Sequence, residues 1–431
     1  MEKVYNVAIF PAGSEIAFEI NNSLKYSKFV NVFGLSSTSD HSEFVYKNYY
    51  DKLPYLDDKN FIKKLNLYIK NNSIDYIYPA LDIAQVFLTN NQDKIKAKII
   101  TSDVDTVNIC RSKKKTYELL KEEDFIPKTY KSVKFVDKYP VFVKPTEGQG
   151  ANGAKKIESK EELKYYIKHY DGDLVICEYL SGIEYTVDCF TDRKGELRFI
   201  NMRSRDRIRT GISVRSTKQK LNNKVKKIAQ TINKYFKFNG AWFFQLKKNT
   251  DGEYKLLEIS PRIPGTMGLS RNLGVNFPLL TIFNDLGFDI DIINNDYDIT
   301  LDRAFINRYK ININYKNIYL DFDDTITYKN KLNLDVIKFI YQSLNDKKNI
   351  YLLTRHRDNI YKSLKKYKLS EDIFKEIIEV KENDKSKYIK NKDSIFIDDS
   401  FRERKEVNSK LNIPVFDVDM IESLLDWRTD E

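Results

Sequence analysis

Acidic and hydroxyl residues follow three short apolar runs in the last quarter of the chain. Asp321 and Asp323 follow the run 318–320, Thr354 follows 351–353, and Asp398 and Asp399 follow 395–397. If these runs are neighbouring parallel strands, the residues after them meet at one edge of a sheet. Side chains two positions apart in an extended segment point the same way, so Asp321 and Asp323 can face one ligand. The pattern predicts a phosphoryl-transfer site.

The carboxylates of this predicted site have different roles. Asp321 is the candidate nucleophile, which would form an aspartyl-phosphate, and Asp323 is the candidate general acid and base. Asp398 or Asp399 would help to hold Mg²⁺, and Asp321 and Asp323 complete the set of candidate metal ligands. Thr354 would bind the phosphoryl oxygens.

A lysine is expected beside Thr354, and Lys385 is the preferred candidate. Lys381 and Lys387 lie close to it in the sequence, so its identity stays open at this point. His356 is expected to be exposed to solvent and to take no part in the chemistry. In this order, the four groups of residues resemble the haloacid dehalogenase-like (HAD) phosphohydrolases over residues 316–431. The resemblance implies a HAD-like Rossmannoid domain that hydrolyses a phosphomonoester with Mg²⁺.

The composition is that of a globular protein with several domains. The chain has 431 residues, of which 41% are hydrophobic and 31% charged, and this length predicts about three domains. No run of about 18 apolar residues is present, and the amino terminus does not resemble a signal peptide, so we expect a cytoplasmic protein without a membrane partner. The formal charge of +11 is spread over all segments, which makes nucleic acid an unlikely partner.

The first 102 residues alternate between strand-like and helix-like segments. Strands are predicted at 4–10, 29–34, 76–79 and 99–101, and helices at 15–24 and 60–71. The alternation indicates a small parallel sheet of Rossmann-like type. The turn after the first strand has a single glycine, Gly13, so independent NAD binding is not expected.

A glycine-rich segment follows a predicted strand at 139–144. Its glycines are Gly148, Gly150 and Gly153, and Lys144 ends the strand. A second short strand, 155–157, follows it and only then a helix, so the segment is predicted to be a hairpin flap and not the start of a helix. The backbone N–H groups of such a flap can contact phosphates, with Lys144 as a point charge. A purely structural hairpin is the alternative.

Two later segments carry polar groups suited to a nucleotide and a metal. Glu178, Tyr179 and Leu180 end a strand and could contact adenine, while Glu184 could bind ribose hydroxyls. Further on, predicted strands at 240–247 and 254–262 carry Gln245, Glu258, Ser260 and Arg262. Glu258 lies in an apolar setting, where an isolated carboxylate is costly unless a cation compensates it.

Together these segments resemble the ATP-grasp superfamily, in particular its carbamoyl-phosphate-synthase-like and amino-acid-ligase members. The match covers residues 103–312, and 1–102 resembles the preceding domain. The likeness implies an α/β and α+β multidomain protein with a Rossmann-like pre-ATP-grasp domain (1–102), an ATP-grasp domain (103–312) and the HAD-like domain (316–431). It places Lys113 and Lys144 on ATP phosphates, Gln245 and Glu258 on Mg²⁺, and Arg262 on the transferring phosphoryl group. Ser260 stands where the family commonly has asparagine.

Four arginines alternate along one strand-like segment. They are Arg203, Arg205, Arg207 and Arg209. On one strand all four guanidinium groups would share a face, and such a face suits triphosphate and carboxylate groups. A salt-bridged surface strand is the alternative.

The predicted activity is an ADP-forming carboxylate–amine ligase that works through an acyl phosphate, fused to a phosphomonoesterase of the same small-molecule pathway. The expected cofactors are ATP and Mg²⁺, with Mn²⁺ as an alternative metal. The expected partners are a carboxylate, an amine and a phosphomonoester. Three alternatives remain open: a small-molecule kinase, a non-catalytic nucleotide-sensing module and a nucleic-acid end-processing protein. The sequence allows a homodimer without determining the oligomeric state, and segment 266–276 is a candidate wall of the acceptor pocket.

Overall fold

The computed structural model describes residues 3–148, 150–304, 306–309, 311–426 and 428. They form two compact units, one up to residue 304 and one from residue 306 onward. The predicted domain 1–102 lies in the first unit, and so does the predicted domain 103–312 up to residue 304. The chain passes to the second unit a few residues before the predicted boundary at 312. No helix in the described part of the chain is long and apolar enough to cross a membrane.

The first unit begins with a parallel sheet covered by helices. Its elements are β1 (Tyr5–Phe10), α1 (Glu15–Leu24), β2 (Val30–Leu35), β3 (Asn48–Tyr50), α2 (Phe61–Asn72), β4 (Tyr76–Pro79), α3 (Asp82–Asn90) and β5 (Lys98–Ile99). The strand order is β3-β2-β1-β4-β5. Helix α1 begins where the Ser14 side chain accepts a hydrogen bond from the Ala17 N–H, which satisfies a backbone donor of the first turn. Its apolar face, including Ile16 and Ile20, packs into the core.

A small antiparallel sheet follows in the chain. The elements of this part are α4 (Val104–Arg111), α5 (Lys113–Leu119), β6 (Thr129–Tyr130), β7 (Val141–Pro145), β8 (Lys155–Ile157), α6 (Lys160–His169) and β9 (Leu174–Glu178). The strand order is β6-β9-β7-β8. Strands β7 and β8 pair with Val143 opposite Lys155, so the glycine-rich segment connects the two strands of a hairpin, as the sequence predicts.

The largest sheet of the first unit is antiparallel. Its region contains β10 (Glu184–Thr191), β11 (Leu197–Ser204), β12 (Arg207–Arg209), β13 (Ile212–Gln219), α7 (Asn223–Tyr235), β14 (Gly240–Lys248), β15 (Tyr254–Ser260), α8 (Gly268–Asn272), α9 (Phe277–Asp285) and β16 (Thr300–Asp302). The order is β12-β13-β11-β10-β14-β15, and β16 pairs with β13. Trp242 is fully buried in the core and stacks on Phe238 with ring centroids 4.0 Å apart.

The prediction that four arginines share one strand face is wrong. Strand β11 ends at Ser204 and β12 begins at Arg207, because the backbone of Arg205 bonds to Glu184 and that of Asp206 to Arg215. Arg203 is buried against Asp188, whereas Arg207 is exposed and pairs with Asp302. The alternation in sequence therefore does not produce one cationic surface.

The second unit is built on a parallel sheet. Its elements are β17 (Asn317–Leu320), β18 (Thr327–Tyr328), β19 (Lys331–Leu332), α10 (Leu334–Asn345), β20 (Asn349–Thr354), α11 (Ile360–Lys366), β21 (Glu376–Glu379), β22 (Ser394–Ile397), α12 (Phe401–Leu411) and β23 (Val415–Phe416). The order is β21-β20-β17-β22-β23. Strand β17 lies between β20 and β22 in parallel register, so the ends of the three predicted strands meet at one edge of the sheet.

Candidate active sites

The first unit contains a cavity of about 200 Å³ whose walls carry an excess of positive charge. Its cationic residues are Arg111, Lys113, Arg203, Arg205, Arg262 and Arg303, and its acidic residues are Glu15, Asp82 and Glu258. Low-dielectric walls with charge of one sign attract ligands of the opposite charge. The cavity is therefore suited to a polyanion.

Arg262 is held by Asp82, the first residue of α3. The Nε and Nη2 atoms of Arg262 donate to the two carboxylate oxygens of Asp82 at 2.6 and 2.8 Å. Burial alone would raise the pKa of Asp82, but the charge of Arg262 and its hydrogen bonds lower it below the ordinary value. Arg262 also lies over the Phe243 ring, 5.2 Å from its centroid. The guanidinium group is thus fixed in one orientation at the cavity wall.

The candidate metal ligands of this unit lie on two paired strands. Gln245 of β14 is directly opposite Glu258 of β15, so their side chains are neighbours on one face, and both line the cavity. Carboxylate and amide oxygens are suitable Mg²⁺ ligands. Ser260 also lines the cavity, and its hydroxyl donates to Asp82 at 3.2 Å. All three predicted metal ligands therefore line one cavity, and the Ser260 hydroxyl proton is already hydrogen-bonded to Asp82.

The two candidate phosphate-binding lysines differ in their surroundings. Lys113 begins α5 and lines the cavity; burial lowers its pKa, and the charge of Glu258 opposes that effect. Lys144 is buried on β7, and its Nζ donates to the Tyr117 hydroxyl at 2.7 Å and to the Leu257 carbonyl at 3.0 Å. Burial lowers the pKa of Lys144 as well. Lys144 is not among the cavity-lining residues in the part of the chain described.

The flap reaches the cavity through Gly148 and Gly150. Arg111 donates to the Gly148 carbonyl at 3.1 Å. A Cβ atom added at Gly211 would lie 2.2 Å from the carbonyl carbon of Gly150, so the close approach of the two backbones requires glycine. Gly153 is required for a different reason: its φ is +70°, and a Cβ atom added there would lie 2.9 Å from Pro145 and Tyr170.

The predicted adenine and ribose residues lie outside the lining of this cavity, as far as the described residues go. The Glu178 carboxylate accepts from the Lys128 N–H at 2.8 Å, and Leu180 is buried. Lys156 lies over the Tyr179 ring. The Glu184 carboxylate pairs with Arg205 at 2.7 Å, and Arg205 also donates to the Gly211 carbonyl. Arg205 thus connects the predicted ribose residue with the turn that contacts the flap.

In the second unit, Lys385 contacts the predicted nucleophile and one of the predicted metal ligands. Its Nζ lies 2.6 Å from Asp321 Oδ1 and 2.6 Å from Asp398 Oδ2. Lys385 is 2% exposed, and of the three candidate lysines it is the one placed in the site. Burial raises the pKa of Asp321 to about 7, and Asp398 adds to this effect while Lys385 opposes it. Burial also raises the pKa of Asp398.

A three-carboxylate cluster lies at this sheet edge. One oxygen each of Asp321, Asp398 and Asp399 lies within 4.8 Å of the others, a spacing and donor set that fit a hard cation such as Mg²⁺. Thr354 is fully buried at the end of β20, and its hydroxyl oxygen accepts from the His356 N–H. Asp323 is not part of this cluster, although the sequence predicts it as a ligand.

Asp323 is instead paired with His356. The His356 Nδ1 lies 2.8 Å from a carboxylate oxygen of Asp323, and Nε2 lies 2.7 Å from the Ser363 hydroxyl. The His356 side chain is 11% exposed and meets the edge of the Phe322 ring. The prediction of a solvent-exposed histidine is therefore wrong, because α11 and the buried Phe322 enclose the imidazole.

Sequence reasoning missed Asp82, Arg111 and Arg303 as cavity residues. Asp82 carried a usable signal, because it follows the buried strand β4 closely, and polar residues after parallel strands tend to face a ligand site. Arg111 and Arg303 carry no such local signal. Their positions depend on packing between segments far apart in the sequence.

Part of the chain is similar to a known protein family. Residues 171–302 match the family described as "ATP-grasp in the biosynthetic pathway with Ter operon". The vancomycin/teicoplanin A-type resistance protein VanA of Enterococcus faecium is 34% identical over 92 residues, which are 19% of this chain and 27% of that protein. The chain thus matches only about a quarter of this curated relative's length.

Solved structures resemble most of the chain. One is the biotin carboxylase domain of 2-oxoglutarate carboxylase from Hydrogenobacter thermophilus, a dimer in complex with MgADP, ADP and bicarbonate. Its TM-score is 0.57 at 15% identity, and the match covers 70% of this chain and 74% of that domain's chain. Another is carboxyaminoimidazole ribonucleotide synthase from Aspergillus clavatus, complexed with ATP. Its TM-score is 0.55 at 12% identity, and the match covers 70% of this chain and 82% of the synthase chain. These likenesses show the fold alone.

Proposed function

We propose that the first unit is an ATP-dependent ligase that activates a small-molecule carboxylate as an acyl phosphate and transfers the acyl group to an amine. The observation that carries this proposal is that Lys113, Glu258 and Arg262 line one positively charged cavity. The match of residues 171–302 to an ATP-grasp family supports it.

In this proposal the cationic side chains position the reacting groups. Lys113 and Lys144 bind phosphate oxygens of ATP, and Arg262 stabilises the charge that develops as the γ-phosphoryl group moves to the carboxylate. Asp82 is a positioning residue, because it fixes the Arg262 fork. Gln245, Glu258 and Ser260 would hold Mg²⁺, which when bound neutralises phosphate charge.

The flap protects the activated carboxylate. An acyl phosphate is hydrolysed if water reaches it, so its site must be closed while the amine attacks. Gly148 and Gly150 line the cavity, and Arg111 and the turn at Gly211 contact them. These contacts would hold the flap over the reacting groups. Glu178, Tyr179, Leu180 and Glu184 remain the proposed adenine and ribose contacts.

Product analysis with purified protein tests the proposal. Addition of a metabolite extract and MgATP is expected to release ADP and inorganic phosphate in equal amounts, and Glu258→Gln should abolish both. Glu253→Gln, at an exposed position of the preceding turn, is the matched control and should retain activity. ADP without phosphate would indicate a kinase. Loss of ATP affinity in Glu258→Gln, with no turnover in the wild-type protein, would indicate a nucleotide-sensing module.

We propose that the second unit hydrolyses a phosphomonoester from the same pathway, as a HAD-like phosphatase. The observation that favours it is the buried contact of Lys385 with Asp321 and Asp398. Asp321 attacks phosphorus and Asp323 protonates the leaving alcohol, then activates water. Lys385 and Thr354 bind the phosphoryl oxygens.

An assay with p-nitrophenyl phosphate tests this second activity. The wild-type protein should release p-nitrophenol with Mg²⁺ and stop when EDTA is added, because the carboxylate cluster loses its cation. Asp321→Asn should be inactive, while Asp372→Asn, an exposed acid in the same unit, should match the wild type. Equal activity in Asp321→Asn would refute the assignment.

A further inference from the structure

Arg303 lies just after β16 and closes one side of the cavity. Its backbone N–H donates to the Val214 carbonyl at 2.8 Å, which extends the pairing of β16 with β13. A Cβ atom added at Gly265 would lie 3.7 and 3.8 Å from the two terminal nitrogens of Arg303. The terminal nitrogens of Arg303 therefore lie beside the Gly265 backbone, which carries no side chain that could accept a hydrogen bond from them.

The guanidinium group of Arg303 has no acceptor among the described residues. Both of its terminal nitrogens are buried and make no hydrogen bond. The other cavity arginines each have one: Arg262 with Asp82, Arg203 with Asp188, Arg205 with Glu184, and Arg111 with the Gly148 carbonyl. Burying donors without partners costs free energy, so a group that fills this position would be bound favourably.

Arg303 and Lys113 lie in different electrostatic surroundings within the cavity. The charges that act on Arg303 are those of Glu19, Glu15 and Arg203. Lys113 is instead influenced by Glu258, Lys144, Arg111 and Asp82, which belong to the proposed phosphate and metal site. Arg303 and Lys113 thus line the same cavity beside different charged residues.

We propose that Arg303 binds a second, non-reacting carboxylate carried by one of the ligase substrates. This inference rests on the proposed function, because the reacting carboxylate must lie near Arg262. A guanidinium fork pairs bidentately with a carboxylate, and the acidic side chain of Glu15 on the same cavity lining favours a singly charged group over a phosphate. The carboxylate is carried either by a dicarboxylic acid or by an amino acid that acts as the amine.

Retention of metabolites without turnover tests this site. The wild-type protein is loaded with Mg·AMP-PNP, incubated with a metabolite extract, and separated from free small molecules; the retained compounds are identified by mass spectrometry. The amount of carboxylate compound retained by Arg303→Gln should be at least about tenfold lower, because one charged hydrogen bond is lost. Arg303→Lys should retain part of the binding. Arg193→Gln, at an exposed position, is the matched control.

The retained compounds also identify the source of the carboxylate. Compounds with two carboxylates and no amine indicate the acid substrate, and compounds with one carboxylate and an amine indicate the nucleophile. AMP-PNP should bind equally to all variants, which shows that they fold. Equal retention by Arg303→Gln and wild type would overturn the proposal. It would also be overturned if the wild-type protein retained no compound, or only compounds without a carboxylate.

The experiment separates this inference from the ligase proposal. Loss of retention in Arg303→Gln, without ADP and phosphate formation by the wild type, would leave the carboxylate site standing and refute the ligase. If ADP and phosphate form normally, the KM for the acid and the KM for the amine can each be compared between Arg303→Gln and the wild type. No change in either KM would refute only the role of Arg303.

Discussion

Replacing Asp321 by asparagine is expected to stabilise the second unit near neutral pH while it removes the proposed phosphatase activity. Asp321 and Asp398 are both buried, and Lys385 is placed between them. When both acids are ionised, the group carries an excess negative charge that burial penalises. Asparagine has the same shape without the charge, and Lys385 keeps its partner Asp398.

The magnitude follows from the pKa of Asp321. Burial raises it from 3.8 to about 7, so between these values the folded unit binds more protons than the unfolded chain. Stability contributed by this group therefore falls as the pH rises through that window. A shift of about three pKa units corresponds to roughly 4 kcal/mol, which is an upper limit because Lys385 and Asp398 respond to the same charge. We expect a gain of ~2–4 kcal/mol at about pH 8 and almost none at about pH 4.

Hydrogen exchange of the central strands measures this effect within the second unit. Peptides that contain β17 and β22 should exchange more slowly in Asp321→Asn than in the wild type at about pH 8, in EDTA, and the difference should vanish at about pH 4. Asp372→Asn should exchange like the wild type. A lower protection in Asp321→Asn at the higher pH, or a difference independent of pH, would refute the reasoning.

Three further changes should give distinct kinetic results. Lys113→Met should raise the KM for MgATP roughly tenfold or more, because one charged phosphate contact is lost; an unchanged KM in steady-state assays would exclude that contact. Asp82→Asn should lower kcat of the ligase about tenfold and the free energy of unfolding by ~1–3 kcal/mol, because Arg262 loses its charged partner; equal kcat would exclude positioning by this pair. His356→Gln should reduce p-nitrophenyl phosphate hydrolysis with little change in KM, because Asp323 is no longer oriented, and an unchanged kcat would argue against this role.

Local sequence signals predicted much of the secondary structure. The helix predicted at 15–24 is observed as Glu15–Leu24, where Ser14 supplies a capping side chain, and the strands at 76–79 and 155–157 have the predicted bounds. The apolar runs before Asp321, Thr354 and Asp398 lie on adjacent strands, as predicted from their apolar residues and from the reactive residues that follow them. These features depend on periodicity and on residues close in the sequence.

Long-range contacts could not be predicted in the same way. The Asp82–Arg262 pair joins residues 180 positions apart, and no spacing rule connects them. Arg203, Arg205 and Arg207 alternate as in one strand, but β11 ends at Ser204 because the backbone N–H groups of residues 205 and 206 bond to β10 and β13. The sequence alone does not show that Phe322 and Ser363 enclose His356, so it predicts an exposed histidine.

Isotope transfer tests the central claim most directly. The acid identified by metabolite screening is prepared with ¹⁸O in its carboxylate and incubated with the wild-type protein, MgATP and the amine. If the first unit activates the carboxylate as an acyl phosphate, one ¹⁸O atom passes to inorganic phosphate for each amide formed. Phosphate without ¹⁸O, together with ADP formation, would contradict the proposed ligase mechanism.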